Sequence, residues 1–164
     1  MYRAYERILM EVFEVRLTVP CSAETAFDFV TRPENIRKIS PPDVGLAFTS
    51  PPDRYALGSR IEFKVQAFGL VREIVHEVTA FDEPGSFVEQ QVSGPFQKWI
   101  HEHRFEDAGD GRVVIIDRIE FEKPGGVVGL IMTADRIRET LEIGFDFRHD
   151  KLEQLLGGAT SAGD

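Results

Sequence analysis

The sequence predicts an α+β fold in which one antiparallel sheet curves around a long C-terminal helix. Three observations carry that expectation. Alternating apolar and polar residues recur from Val12 to Glu122, and the breaks between these runs are short and rich in Gly, Pro and Asp. After Pro124-Gly125-Gly126 the period changes from that of a strand to that of a helix. Successive strands with short connections pair antiparallel, and a helix with one apolar stripe must cover a face of their sheet.

The alternation starts just after Met10 and predicts a first strand over Val12 to Val19, closed by Pro20. Residues 1–9 then form a short N-terminal extension, and Met10 is a candidate natural start. Ser22 is a good helix N-cap, with Glu24 near the positive helix end and Ala26, Phe27 and Val30 on one face. Pro33 suits the first turn of a second short helix carrying Ile36 and Ile39, which Pro41-Pro42 end. Alternating runs follow over about 44–49, 58–68, 70–81, 86–93, 96–106 and 112–122, and with the first strand they make a seven-stranded sheet. From about Gly129 to Leu156 a single helix is expected. Its stripe is Ala134, Ile137, Leu141, Phe145, Leu152 and Leu155, while Arg136, Glu139, Glu142 and Asp146 fall elsewhere. Residues 157–164 lack an apolar anchor and read as a disordered tail, which leaves residues 10–156 as one domain.

The length of 164 residues, with 42% hydrophobic and 29% charged, is that of an ordinary globular domain and removes the disordered and membrane classes. No apolar run approaches the roughly 20 residues of a membrane span, so no membrane insertion is expected. The N-terminus lacks the apolar core and cleavage site of a secretory signal. Cys21 is the only cysteine and has no internal partner, which points to a reducing, cytoplasmic location. A net charge of −9 opposes contact with phosphate backbones and with anionic membranes, so no nucleic-acid partner is expected. The acid excess reads as a solvated, self-repelling surface. Oligomeric state is not legible.

Residue parity sorts side chains to the two faces of a strand. Near the end of the sheet the inward set is odd-numbered: Trp99, His101, His103 and Phe105, then Val113, Ile115, Asp117, Ile119 and Phe121. A hairpin centred near Gly109 sets His101 opposite Asp117, and a slip of two residues sets His103 opposite it instead. Either way an inward carboxylate adjoins an inward imidazole. A tight turn at Phe68-Gly69 sends Ile61, Phe63, Val65 and Ala67 inward, with Leu70, Ile74, Val78 and Ala80 and with Arg72 and His76. A tight turn at Gly94-Pro95 sends Val88, Gln90 and Val92 inward. The expected interior is thus apolar with a sparse polar set of His76, Gln90, His101, His103 and Asp117, which describes a small-molecule pocket.

The segment from Phe87 through Gly94-Pro95-Phe96, Trp99, His101 and His103 to Phe105 resembles the START-like, or SRPBCC, superfamily. That superfamily includes polyketide cyclases/dehydrases and lipid-binding proteins. Ile116-Asp117-Arg118, Pro124-Gly125-Gly126, Phe147-Arg148 and the early Pro20, Phe27, Pro33-Glu34-Asn35 and Pro41-Pro42 are similar to it too. The resemblance covers about residues 10–156, and Gly-Pro-Phe with Trp-x-His-x-His resembles one subgroup. It implies a helix-grip fold, with a cavity between the sheet and the C-terminal helix. It does not imply one activity, since members bind lipids, hormones or quinones, or cyclise polyketides.

Two functional readings follow. In the first, the chain binds or carries a small hydrophobic or amphipathic molecule, with Phe63, His76, Gln90, Trp99, His101, His103, Phe105, Asp117, Ile119, Phe121, Leu141 and Phe145 lining the site. In the second, it is a cofactor-independent cyclase or dehydratase in which His101 or His103 with Asp117 forms an oriented acid–base pair. A third class, an interaction module that merely keeps the fold, stays open. No cofactor is implied. The His-x-His pair invites a metal reading, but Gly94 and Glu106 miss the cupin spacing and no second histidine motif follows, so no metal is expected. Arg72 and Arg148 are candidate anchors for a ligand carboxylate or phosphate if they face the cavity.

Overall fold

The computed structural model describes residues 10–67 and 69–158. Strand β1 (Glu11–Val19) leads into helices α1 (Ala23–Val30) and α2 (Pro33–Lys38), and a short 3-10 turn at Pro42–Val44 follows. Then come β2 (Ala47–Thr49), β3 (Arg60–Ala67), β4 (Leu70–Asp82), β5 (Ser86–Ser93), β6 (Lys98–Gly109) and β7 (Arg112–Glu122). Helices α3 (Gly126–Ile131) and α4 (Ala134–Gly157) close the described chain. The seven strands form one antiparallel sheet in the order β1-β7-β6-β5-β4-β3-β2, so the last strand pairs with the first. This is the expected α+β, helix-grip arrangement.

Local chemistry accounts for the elements. Ser22 caps α1, its hydroxyl accepting from the Thr25 amide, and Pro33 opens α2 where a missing amide costs nothing. Phe27, fully buried on α1, meets Phe81, Phe87 and Phe105 edge-on at 5.2, 5.8 and 5.3 Å. These rings, with Leu152 and Leu156 of α4, build one core cluster. A second cluster joins Phe13, Ile119 and Phe121 of the sheet to Met132, Ile137 and Phe145. Each fully buried large side chain contributes about 1.5–3 kcal/mol of transfer free energy.

Four expectations are corrected. The first concerns β5. It pairs with β6 through Gln90↔Ile100 and Phe87↔His103, which matches odd residues with odd, whereas a tight turn at Gly94-Pro95 would match odd with even. A change of one residue in register moves every side chain to the other face. Phe87, Glu89 and Gln91 therefore take the inner face; Gln90 and Val92 are exposed, and Val88 shares their parity. The wider connection is held by Gln91, whose Nε2 donates to the Phe96 carbonyl at 2.7 Å.

The second is Ala80. A register shift between Val78 and Ala80 leaves Thr79 as an extra residue, so Ala80 is exposed and Phe81 returns to the core. The third is the single terminal helix, which breaks at Met132-Thr133. Thr133 caps α4, accepting from the Arg136 amide, and α3 turns back so closely that a Cβ on Gly129 would collide with the Pro124 carbonyl. The fourth is Leu155, which is exposed, while Leu156 takes the buried position. Gly157 is the last residue of α4, with Gly158 at its C-cap. The remainder of the expected tail, residues 159–164, and the expected extension, residues 1–9, lie outside the described residues.

Of the two registers open for the last hairpin, the slipped one forms. His103 pairs with Asp117, and His101 with Ile119. The loop is Asp110-Gly111, both left-handed at φ 54° and 70°, the backbone of a tight hairpin turn. The turn is thus centred beyond Gly109, and a register shift between Asp107 and Gly109 leaves Ala108 as a bulge.

Candidate ligand site

Between the two core clusters the sheet and α4 leave a cavity of about 160 Å³. Its apolar wall comes from Ile36, Leu46, Phe48, Tyr55, Ile61, Phe63 and Trp99, and its polar wall from His76, Glu89, His101, His103 and Arg148. A wider hollow of about 510 Å³ opens outside, against Glu34, Arg37, Lys38 and the Pro41–Leu46 segment, and none of its lining residues is buried.

The polar wall is one connected chain of groups across four strands. His76 Nδ1 hydrogen-bonds Glu89 Oε2 at 3.1 Å. Glu89 Oε1 lies 3.5 Å from His103 Nε2, and His103 Nδ1 lies 2.8 Å from Asp117 Oδ1. The same Asp117 oxygen is hydrogen-bonded to His101 Nε2 at 2.8 Å. Arg148, reaching in from α4, places Nη2 at 3.7 Å from it. Carboxylates and imidazoles alternate, as β-strand parity brings His76, Glu89, His103 and Asp117 to one face on neighbouring strands. Phe87 stacks on His103 with centroids 4.2 Å apart, which fixes that ring, and Phe63 meets His76 edge-on at 5.0 Å.

Burial and pairing oppose each other here. For Asp117, 1% exposed, burial alone would raise the carboxyl; the Arg148 charge and the two imidazoles outweigh it and hold it well below the usual carboxylate range. Burial likewise works to raise Glu89, and its pairing with the His103 and His76 imidazoles prevails and lowers it. His103 is raised despite its burial, because Asp117 and Glu89 both favour its charged form. His101 goes the other way. Burial and the neighbouring His103 charge push it down to about 4, more than Asp117 can offset. At neutral pH His101 is therefore neutral, with Nε2–H donated to Asp117 and Nδ1 left as a bare acceptor. Tyr55 is raised by burial and stays a phenol.

Of the residues expected at the site from sequence, Phe63, His76, Trp99, His101 and His103 line the cavity, and Asp117 lies directly beneath the imidazoles. Phe105 packs under α1 in the first core cluster, and Ile119, Phe121, Leu141 and Phe145 lie in or against the second. Gln90 is excluded by the β5 register. Its place is taken by Glu89, which sequence reasoning missed. The signal for it was Phe87, the largest apolar residue of that strand, whose parity Glu89 shares. Tyr55 and Leu46 were also missed, because irregular segments carry no parity, and so were Phe48 of the three-residue β2 and Ile36 of the short α2, elements too short to set a face. Arg148 does face the cavity. Arg72 lies on the inner face opposite Val65 but does not line the cavity. His101, His103 and Asp117 bring three potential ligand atoms within 4.8 Å of one another, close enough to hold a metal ion.

Residues 10–157 match the family described as polyketide cyclase / dehydrase and lipid transport. Solved structures share the fold over nearly their whole length. A protein from Thermus thermophilus superposes with a TM-score of 0.69 at 12% identity, over 92% of this chain and 100% of its own. A START superfamily protein from Mycobacterium smegmatis gives 0.69 at 14% identity, over 91% and 99%. The Zhui aromatase/cyclase from a Streptomyces species gives 0.66 at 17% identity, over 95% and 100%. No curated protein matches the sequence. No described helix is long and apolar enough to cross a membrane.

Proposed function

We propose that this chain, which belongs to the polyketide cyclase/dehydrase and lipid transport family, binds a small, largely apolar molecule in the cavity between its sheet and α4. The observation that carries this reading is the cavity itself, lined by seven apolar or aromatic side chains and by a connected set of five polar ones. The apolar wall supplies affinity through burial, and the polar wall orients the ligand's one polar end. A cytoplasmic setting is part of the reading, supported by the single buried thiol of Cys21. No metal is part of it. Asp117 Oδ1 already serves two imidazoles, and a guanidinium stands 3.7 Å away, which repels a cation.

Trp99 is the only tryptophan and lines the cavity, so its emission reports binding directly. A panel of fatty acids, quinones and polyketide-like aromatics is screened by Trp99 emission and by thermal shift. At least one class is expected to change the emission and raise Tm, because a ligand of the folded state must stabilise it. A panel with neither response would remove the reading.

One observation favours a second reading, proton-transfer catalysis. Neutral His101, held in one tautomer by Asp117, presents a base next to the Arg148 cation, a pairing suited to removing a proton and stabilising the resulting anion. Turnover of polyketide or β-hydroxycarbonyl substrates that falls about 10²-fold or more in Asp117→Asn would support it. Absence of turnover across the panel would leave the carrier reading alone.

A further inference from the structure

Arg148 carries two of the unpartnered buried polar atoms of the cavity wall. Its side chain is 13% exposed, yet neither Nε nor Nη2 has a hydrogen-bond partner. These two atoms form the side-on edge of a guanidinium, whose parallel N–H bonds match the two oxygens of a carboxylate. Asp117 does not close that fork. Its Oδ1 is 3.7 Å from Nη2, outside hydrogen-bond reach, and is hydrogen-bonded to His101 with His103 Nδ1 also 2.8 Å away, while Oδ2 has no partner. Trp99 Nε1 is a further buried donor with no partner, and Trp99 lines the same cavity. Asp117 Oδ2 and His101 Nδ1 remain as unspent acceptors, and among the unspent donors only the Arg148 edge offers two in parallel.

We propose, resting on the ligand-binding reading above, that the cavity takes a small aromatic monocarboxylate gripped on the Nε–Nη2 edge of Arg148, and that a proton enters the histidine–carboxylate chain with it. Size supports the single ring. The cavity is about 160 Å³, and an apolar cavity of about 150 Å³ takes benzene. A phosphate fits the charge less well, since a dianion would face one guanidinium.

The proton follows from charge balance. The groups facing Arg148 and the cavity are Asp117 on β7, His101 and His103 on β6, Glu89 on β5, His76 on β4, the phenol of Tyr55 before β3 and His149 on α4 itself. With His103 protonated, Glu89 and Asp117 balance His103 and Arg148, and the buried cluster is neutral. An added carboxylate leaves one excess negative charge out of water, which is costly unless a proton comes too. His101 is the neutral imidazole that can take it, and a nearby anion favours its charged form.

The test compares benzoate with its methyl ester and with benzyl alcohol on the wild-type protein, reading Trp99 emission between pH 6 and pH 8. The free acid stays ionised throughout that range, because carboxyl groups titrate at about 4. Calorimetry in two buffers of different ionisation enthalpy counts the proton. The acid is expected to bind about tenfold or more tighter than either neutral analogue at pH 6, the scale of a charged hydrogen-bonded pair. Its affinity should rise by up to about tenfold per unit fall in pH, the slope for uptake of one proton, while the neutral analogues stay flat. Arg148→Lys keeps the charge and loses the fork, and should abolish the preference for the acid. Equal binding of ester and acid, or a pH-independent acid affinity, would overturn the inference and leave the ligand-binding reading standing. No emission change with any of the three would overturn the inference, and the wider panel described above then decides the ligand-binding reading by itself.

Discussion

Replacing Asp117 by Asn removes one negative charge from the centre of the buried chain and leaves its shape nearly intact. Asp117 is 1% exposed and its Oδ1 meets His101 Nε2 and His103 Nδ1, each at 2.8 Å. An amide oxygen can still accept one of these contacts, but its NH2 group adds donors where imidazole donors already point. Loss of one partner from a buried charge pair costs about 3–5 kcal/mol. Here His103 retains Glu89 and can shed its proton, so the expected cost at pH 7 is the lower end, about 3 kcal/mol. For a chain of this size that is a fall in Tm of about 6–12 °C. The assay is urea unfolding of both proteins, together with NMR titration of the histidine rings. The raised His103 pKa should drop, because one of the two carboxylates that hold it up is gone. A loss below about 1 kcal/mol, with the His103 titration unchanged, would refute the electrostatic coupling described for the chain.

Two further outcomes are expected. Stability should be greatest near pH 6.5 and fall on both sides. On the acid side the unfolded chain protonates His101 near its ordinary value, while the folded protein resists down to about 4, so stability falls with pH through that window by up to about 3 kcal/mol. The lowered Glu89 and Asp117 add to the loss further down. On the alkaline side the raised His103 makes its full contribution below the unfolded value and loses it as pH rises through the folded value. Urea unfolding from pH 4 to pH 9 checks this, and His101→Gln should flatten the limb between pH 6.5 and pH 5; a flat wild-type profile would contradict it. Separately, Gly129→Ala should destabilise the protein by about 1–3 kcal/mol, because the added Cβ meets the Pro124 carbonyl and α3 must move. An unchanged midpoint in urea would show that this close approach carries no weight.

Strand parity made the inner face of β6 and β7 legible from sequence, because the aromatic residues Trp99, Phe105 and Phe121 all fall on one side and the charged residues mostly on the other. The pairing partner of Asp117 was left between two imidazoles for a physical reason. A Gly-rich turn with a bulge can absorb a residue without altering the hydrophobic pattern, and Ala108 does so here. The β5 face was read wrongly because the loop length, not the strand, sets its phase. Val88 and Val92 look like core residues when judged alone; Phe87, stacked on His103, settles the matter. Glu89 was lost with that choice, and with it the link joining His76 to the rest of the chain. The break at Thr133 was hidden because apolar residues continue across it. A Thr followed by Asp and a new stripe was the signal for a second N-cap.

The central claim is that a small apolar molecule sits between the sheet and α4 against the histidine–carboxylate wall. The most direct measurement is the set of intermolecular NOEs between a bound single-ring ligand and the protein. The account predicts contacts from the ligand ring to Phe63, Tyr55 and Trp99, with the ligand's polar end nearest Arg148 and His101. A ligand that binds with NOEs only to the outer hollow around Arg37 and Pro42, and none to the Trp99 ring, would contradict it.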